Sequence, residues 1–355
     1  MPHLFSALTL RSVTLRNRLM ISPMCMYSAK DDGLANDWHL AHLGARAAGG
    51  AGLVCVEATA VEPRGRISPA DLGLWGDQHV EPLARIASFV ASQGAVPAIQ
   101  LAHAGRKAST AAPWEGGGPL SPAQGGWEPV APSALPFALG SPTPHALAAE
   151  ELPGLVDAFA QAARRALAAG FQAVELHAAH GYLLHQFLSP LSNQRSDPFG
   201  GDFASRTRLA LQVVEAVRSV WPERLPLMVR LSTTDWASGG WDVEQSVELA
   251  RLLKARGVDL VDCSSGGLVP HAQVPVGPGY QVPAGERLRL EAAIPVVAVG
   301  LITDAKQADA LVREEKADVV AIARQSLRDP NFPLHAAREL GADVAWPLQY
   351  QRAKI

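Results

Sequence analysis

In Phe171-Gln172-Ala173-Val174-Glu175-Leu176-His177-Ala178-Ala179-His180-Gly181-Tyr182-Leu183 a short apolar run gives way to two histidines and a tyrosine within six residues. The run 171–176 has strand character, and Gly181 breaks the local structure between His180 and Tyr182. If the run is a barrel strand, His177 stands at its C-terminal end, and His180 and Tyr182 lie on the loop after it, where such barrels keep their chemistry. Three polar groups placed there can surround one substrate oxygen or carbon. Two other readings use the same residues. One is a pair of hydrogen-bonded structural histidines beside a packed tyrosine. The other is a metal set in which the His-x-x-His pair joins Glu175 from the same strand face. That set lacks a fourth ligand and a partner for an activated water.

Outward from this stretch, short apolar runs alternate with amphipathic ones. Strands are expected at 18–21, 53–57, 96–101, 171–177, 227–231, 260–263, 296–299 and 319–322, with helices such as 81–92, 207–220, 243–256 and 304–314 between them. Gly94, Gly170 and Gly257 fit the left-handed residue that commonly ends a helix before the next strand. Buried strands alternating with helices indicate parallel βαβ units, and eight of them read as a (β/α)8 TIM barrel. An open doubly wound sheet is the alternative, but no G-x-G-x-x-G follows any strand.

Two segments fall outside the repeat. Leu8-Thr9-Leu10 and Val13-Thr14-Leu15 form an expected N-terminal β-hairpin closing the barrel floor. After the third strand, residues 109–145 make a long Pro/Gly-rich excursion containing Trp114, Trp127 and Phe137. Excursions of that length inside a compact domain are usually functional or disordered, and the aromatics favour a packed lid or interface. Trp38 and Trp75 are read as packing residues. The expected organisation is one domain over residues 1–355, with 346–355 as a C-terminal tail.

At 355 residues and 48% hydrophobic, the chain has room for one large barrel with insertions. A net charge of -3 gives no reason to expect nucleic acid or an anionic membrane as partner. Cys25, Cys55 and Cys263 are odd in number and widely spaced, which is no disulfide framework and points to the reducing cytoplasm. The N-terminus lacks a basic region followed by an apolar core, and no apolar run approaches the about 20 residues that span a bilayer.

Placed on the strand ends, the polar residues surround one mouth. The first strand leads into Ser22-Pro23-Met24-Cys25-Met26-Tyr27, the second ends in Glu57-Ala58-Thr59, and the third carries Gln100 and His103. The fifth carries Arg230, the seventh runs into Gly300 and the eighth into Ala323-Arg324. Barrels commonly hold a phosphate after strands seven and eight. A glycine that lets backbone N–H groups approach, with an arginine beside it, suits the phosphomonoester of a bound cofactor. Arg324 in a structural salt bridge is the rival reading.

Ser22-Pro23-Met24-Cys25, Ala58, His103-Ala104-Gly105-Arg106-Lys107-Ala108, His177-Ala178-Ala179-His180-Gly181-Tyr182 and Gln349-Tyr350-Gln351-Arg352 closely resemble the old yellow enzyme family, and more narrowly its "thermophilic-like" subclass. The resemblance runs through essentially the whole chain. It implies an FMN lying across the barrel mouth that takes a hydride from NADPH and passes it to an activated C=C bond of a small enone. It carries flavin contacts onto Ser22, Pro23, Met24, Cys25, Ala58, Gln100, Arg230, Gly300, Ala323 and Arg324. Substrate contacts fall on Tyr27, His177, His180 and Tyr182, with Lys107 at the rim, where a solvated surface lysine is the alternative.

The implied chemistry accounts for these residue types. Hydride transfer to the β-carbon of an enone builds negative charge on its oxygen, and imidazole N–H donors there act as an oxyanion hole. Tyr182 would protonate the α-carbon. Arg230, with Gln100 as a neutral partner, would stabilise the anionic reduced flavin. Cys25 is a buried small hydrophobe on general grounds, whereas the resemblance makes it a flavin contact that modulates the potential. Arg352 is implied to reach a neighbouring subunit's active site in a homodimer or homotetramer.

The sequence also departs from the family. Ala323 stands where members often have glycine. Leu301 stands where a subclass member has a tryptophan that shapes the pocket. Larger relatives add an iron–sulfur cluster and a dinucleotide domain; this chain has no clustered cysteines and is expected to lack both. With no dinucleotide fingerprint, NADPH is expected to visit the substrate position transiently, in ping-pong kinetics. A cofactor-free or metal-dependent barrel hydrolase and a non-catalytic flavin sensor are the competing classes.

Overall fold

Eight strands, each built mainly of β-branched and other apolar residues, close on themselves in a computed structural model that describes residues 3–354. In chain order they are β3 (Leu19–Ile21), β4 (Leu53–Ala60), β5 (Val96–Ala102), β8 (Ala173–Ala178), β9 (Leu227–Ser232), β10 (Leu260–Ser264), β11 (Val296–Ala298) and β12 (Val319–Ile322). All neighbouring pairs are parallel, and β12 returns to β3 with Val320 opposite Leu19 and Ile322 opposite Ile21. Every residue of these strands is buried, as a sheet covered on both faces requires. The fold is therefore the expected (β/α)8 TIM barrel.

Helices α1 (Asp37–Ala48), α2 (Val80–Ser92), α3 (Leu152–Ala168), α5 (Phe203–Val220), α6 (Val243–Ala255), α7 (Val282–Glu291) and α8 (Ala305–Arg313) lie between consecutive barrel strands, with the short α4 (Leu183–Leu188) just after β8. Gly94, Gly170 and Gly257 take positive φ at their expected stops. Boundaries shift where local chemistry differs from the apolar pattern. The α5 helix begins at Phe203 because Asp202 caps it, its Oδ1 accepting from Ser205 N at 2.8 Å. A register shift between Val56 and Ala58 lets β4 continue through Glu57 to Ala60.

The hairpin of β1 (Leu8–Leu10) and β2 (Val13–Leu15) is antiparallel, with Leu10, Val13 and Leu15 buried and Thr9 and Thr14 facing out. It lies at the strands' N-terminal ends. Ser12 N donates to Arg224 O before β9, Arg11 pairs with Asp259 before β10 at 2.6 Å, and Arg16 reaches the carbonyls of Ala47, Ala51 and Gln93. The floor is closed and the C-terminal mouth is left for chemistry.

In the excursion, β6 (Val130–Ala131) and β7 (His145–Ala146) form a short parallel pair. Trp127 donates through Nε1 to Arg64 O at 2.9 Å, and its ring and that of Trp75 flank the Arg66 guanidinium at 4.9 and 5.3 Å. Phe137 sits 4.6 Å from the Lys107 ammonium. Trp114 differs from these two: it is 68% exposed and meets the Tyr27 ring edge-on at 5.8 Å. Trp38, read as a packing residue, is also exposed, because it lies in the first turn of α1 on the side away from the barrel.

Candidate active site

The loop after β3 brings Ser22 to Tyr27 to the mouth. Ser22 is buried and its hydroxyl has no hydrogen-bond partner among the described residues. Met26 N donates to the Glu57 carboxyl from β4, and His39 Nε2 lies 3.2 Å from the other oxygen of that carboxyl. Glu57 is pushed up by burial, partly offset by His39. Burial also raises the Cys25 thiol, with Asp71 and Glu57 adding to the effect, so it is a thiol rather than a thiolate. Tyr27 takes φ 47°, a left-handed conformation that costs a side-chain-bearing residue about 1–3 kcal/mol and persists where its surroundings impose it.

His177, His180 and Tyr182 come together as expected. The His177 ring meets those of His180 and Tyr182 edge to face, each at 5.0 Å between centroids. Burial lowers both imidazoles, with Arg230 contributing, so both are neutral at physiological pH. His177 Nδ1 accepts from Ala179 N at 3.3 Å, which places its proton on Nε2. His180 Nε2 lies 2.6 Å from the Ser264 hydroxyl. When Ser264 donates to it, the proton of His180 sits on Nδ1. Burial raises the Tyr182 hydroxyl well above its ordinary value.

This cluster is held from behind. His180 has φ 58°, with its N–H on Ser232 Oγ at 2.9 Å and its carbonyl on Lys107 Nζ at 2.9 Å. Lys107 also donates to Gly267 O at 3.0 Å, and burial lowers its ammonium to about 8. Gly181 has φ 73°, and a Cβ there would stand 2.2 Å from Gly267 O, so the loops after β8 and β10 touch only through glycine. Gly181 N donates to His185 Nδ1 at 2.9 Å, and His185 Nε2 lies 2.8 Å from Asp235 Oδ1, both side chains being fully buried.

Deeper in the barrel, Gln100 Nε2 donates to Glu175 Oε1 at 2.7 Å, and Arg230 Nε pairs with Asp262 Oδ2 at 3.1 Å. Ala58 is buried beside them on β4. Past Arg230 a cavity of about 180 Å³ opens between the ends of β10, β11 and β12. Its lining includes Ser264, Gln281, Gly300, Ala323 and Arg324. Gly300 has φ 125°, and a Cβ there would meet Gln281 Nε2 at 3.0 Å. Arg324 is exposed and makes no ion pair or hydrogen bond among the described residues, so it is free to take an anion. The orphaned Ser22 hydroxyl, the free Arg324, the glycine-edged cavity and Arg230 fit a flavin phosphate at one end of the mouth and a polar ring edge at the other.

Arg352 lies in an exposed turn, Leu348–Ala353, and makes no hydrogen bond or ion pair to the mouth among the described residues. No group of three or more His, Cys, Asp or Glu side chains converges as a metal donor set among those residues, and no described helix is long and apolar enough to cross a membrane. Ser264, Gln281, His185 and Asp235 were missed from sequence. His185 alone carried a signal, falling two residues past the quoted stretch and four after Gly181.

A closed parallel barrel with neutral imidazoles, a tyrosine and an exposed, unpaired arginine at one mouth fits an oxidoreductase barrel of the flavin-dependent kind. The model of the NADH:flavin oxidoreductase / NADH oxidase family matches residues 3–343, and the chain belongs to that family, the old yellow enzymes. It is 46% identical over 351 residues to an NADPH dehydrogenase of Halalkalibacterium halodurans, covering 99% of this chain and 98% of that one. Among solved structures, morphinone reductase is similar, with a TM-score of 0.78 and 30% identity over 98% of this chain and 91% of that one. An old yellow enzyme homologue from Zymomonas mobilis gives a TM-score of 0.77 at 26% identity, covering 98% and 96%. The chain is an NADPH-dependent flavin oxidoreductase, with FMN and NADPH as its cofactors.

Proposed function

We propose that the enzyme reduces the activated C=C bond of small α,β-unsaturated carbonyl compounds, and of related nitro compounds, by a ping-pong mechanism. The observation that carries this reading is the convergence of His177, His180 and Tyr182 at the mouth, with both imidazoles held neutral by burial. When bound, FMN supplies the hydride that it has taken from NADPH. Ser22, Pro23, Met24, Cys25, Ala58, Gln100 and Arg230 would line its ring, and Gly300, Ala323 and Arg324 would hold its phosphate. His177, through Nε2–H, and His180, through Nδ1–H when the Ser264 hydroxyl donates to its Nε2 and not to Gln281 Oε1, hold the carbonyl oxygen as it gains charge. Tyr182 keeps its proton until the α-carbon takes it. Tyr27 borders the substrate, Lys107 fixes the His180 loop behind it, and the excursion over residues 109–145 covers it.

The chain acts as one FMN-binding barrel domain in the cytoplasm, in a homodimer or homotetramer in which Arg352 reaches the neighbouring mouth. Stopped-flow kinetics test the reading. NADPH bleaches the flavin absorbance and 2-cyclohexenone restores it, each in a separate second-order phase. A flavin reoxidised by oxygen but not by any enone or nitroalkene overturns it.

A further inference from the structure

Gln100, Glu175, Arg230 and Asp262 stand on four adjacent strands, β5, β8, β9 and β10. Gln100 is in register with Glu175, and Arg230 with both His177 and Asp262. Glu175 and Asp262 are wholly buried, and Gln100 and Arg230 nearly so. The hydrogen bond from Gln100 satisfies one oxygen of Glu175, and its Oε2 has no partner among the described residues. Asp262 has the Arg230 guanidinium at 3.1 Å and no hydrogen bond from any described residue.

Two carboxylates facing one guanidinium would leave an excess negative charge in a dry barrel interior. A buried carboxyl without a compensating cation takes up a proton instead. The groups facing Glu175 agree with this count. Asp262 on β10 opposes its ionisation, Arg230 on β9 favours it, and Gln100 on β5 is neutral. Cys55 on β4 is a thiol pushed up by burial and by the same two carboxyls. Burial drives both carboxyls upward and Asp262 adds to the rise of Glu175, while the guanidinium of Arg230 stands 3.1 Å from Asp262, which favours the charge there.

We propose that Glu175 and Asp262 hold one proton between them, seated on Glu175, so that Arg230 faces a single carboxylate, Asp262, and the cluster beneath the flavin edge carries no net negative charge. This rests on the seating of FMN against Gln100 and Arg230 given above. Glu175 is then a positioning residue, acting through its neighbours. As a neutral acid it accepts from Gln100 and orients that amide. It also withholds a second negative charge from the floor of a site where the cofactor gains one on reduction. The wrong protonation state would set a carboxylate against that gain and make the flavin harder to reduce. Should Glu175 be ionised at high pH, the negative charge arriving on the flavin would draw the proton back.

Infrared spectroscopy and potentiometry on the FMN-loaded enzyme test this. The oxidised holoenzyme should show a carboxylic-acid C=O stretch, shifted in D2O, that disappears in Glu175→Gln. It should also disappear in Asp262→Asn, because Glu175 then becomes the single carboxylate paired with Arg230. In wild type, proton uptake per two-electron reduction should rise from one towards two as pH increases through the ionisation of Glu175. In Glu175→Gln it should stay at one throughout, with FMN retained and the neutral-pH potential unchanged. A band that persists in Glu175→Gln overturns the proposal whatever the flavin does, and one that persists in Asp262→Asn overturns the sharing. A lost band with identical proton uptake in both enzymes overturns the link to the flavin, and with it the seating on Arg230, but not the proton itself.

Discussion

Lys107 Nζ donates to the His180 carbonyl oxygen at 2.9 Å, so a cation from the loop after β5 holds the imidazole-bearing loop after β8. The same ammonium reaches Gly267 O after β10 and lies over the rings of Phe137 and Tyr182 at 4.6 and 5.3 Å. One side chain therefore joins three strand ends to the excursion. Lys107→Met should remove these tethers while keeping the apolar stem. Misplacing His180 should lower enone turnover roughly 10–100-fold, with flavin reduction by NADPH much less affected. Half-reactions measured separately check this.

The same lysine has a pH signature. Burial and Arg106 lower its ammonium from 10.5 to about 8 in the folded state. Between those values the unfolded chain binds more protons than the folded one, so this group makes stability rise with pH across that window. Below about 8 the folded protein bears the full cost of a buried cation. Lys107→Met should lack that rise, and melting temperatures compared at pH 7 and pH 10 should show wild type gaining relative to the variant.

Loss of an imidazole should separate the two half-reactions. His177→Ala or His180→Ala should weaken phenol binding and slow enone reduction about 10²–10³-fold, the usual effect of losing one oxyanion donor. Tyr182→Phe should slow flavin reoxidation by enones about 10²–10⁴-fold, the range for a lost general acid, with reduction by NADPH nearly unchanged. Normal reoxidation in that variant would move the proton donor to water or Tyr27.

Arg324 stands exposed and unpaired beside the cavity that Gly300 borders. Arg324→Ala should remove charge-assisted contacts worth about 1.5–3 kcal/mol and weaken FMN retention roughly 10–100-fold. In flavin-saturated enzyme, turnover should stay near wild type. Equilibrium dialysis of the flavin gives the first quantity and steady-state kinetics the second.

Gly181 combines φ 73° with a Cβ position 2.2 Å from Gly267 O. Gly181→Ala should destabilise the protein by at least about 2 kcal/mol and disturb the catalytic loop, because the obstructing atom is backbone and cannot swing aside. Thermal unfolding and phenol binding check both effects.

Deleting the residues after Pro347 removes a turn whose Leu348 and Tyr350 are exposed. The barrel closes without it, so the melting temperature should change little, while KM for enones rises and self-association weakens. Sedimentation and kinetics on the same preparation test this. Unchanged kinetics would remove Arg352 from any neighbouring site.

The eight barrel strands were legible in the sequence because each is buried on both faces and written as a mainly apolar run, broken in β4, β5, β8, β9 and β10 by single polar residues such as Glu57, Gln100, Glu175, Arg230 and Asp262. Their ends were legible because glycine and polar residues punctuate them. The position of His177, Gln100, Arg230 and Arg324 towards one mouth follows from that strand count, since all lie in the last three residues of a strand or just beyond it. The partners of these groups were not legible, because they come from strands and loops distant in the chain. The 2.6 Å contact of His180 with Ser264 joins residues 84 apart, and that of Gln100 with Glu175 joins residues 75 apart. Local pattern determines which residues are buried and which face the mouth. Tautomer, protonation and orientation depend on what each side chain meets across the barrel, and tertiary closure alone decides that.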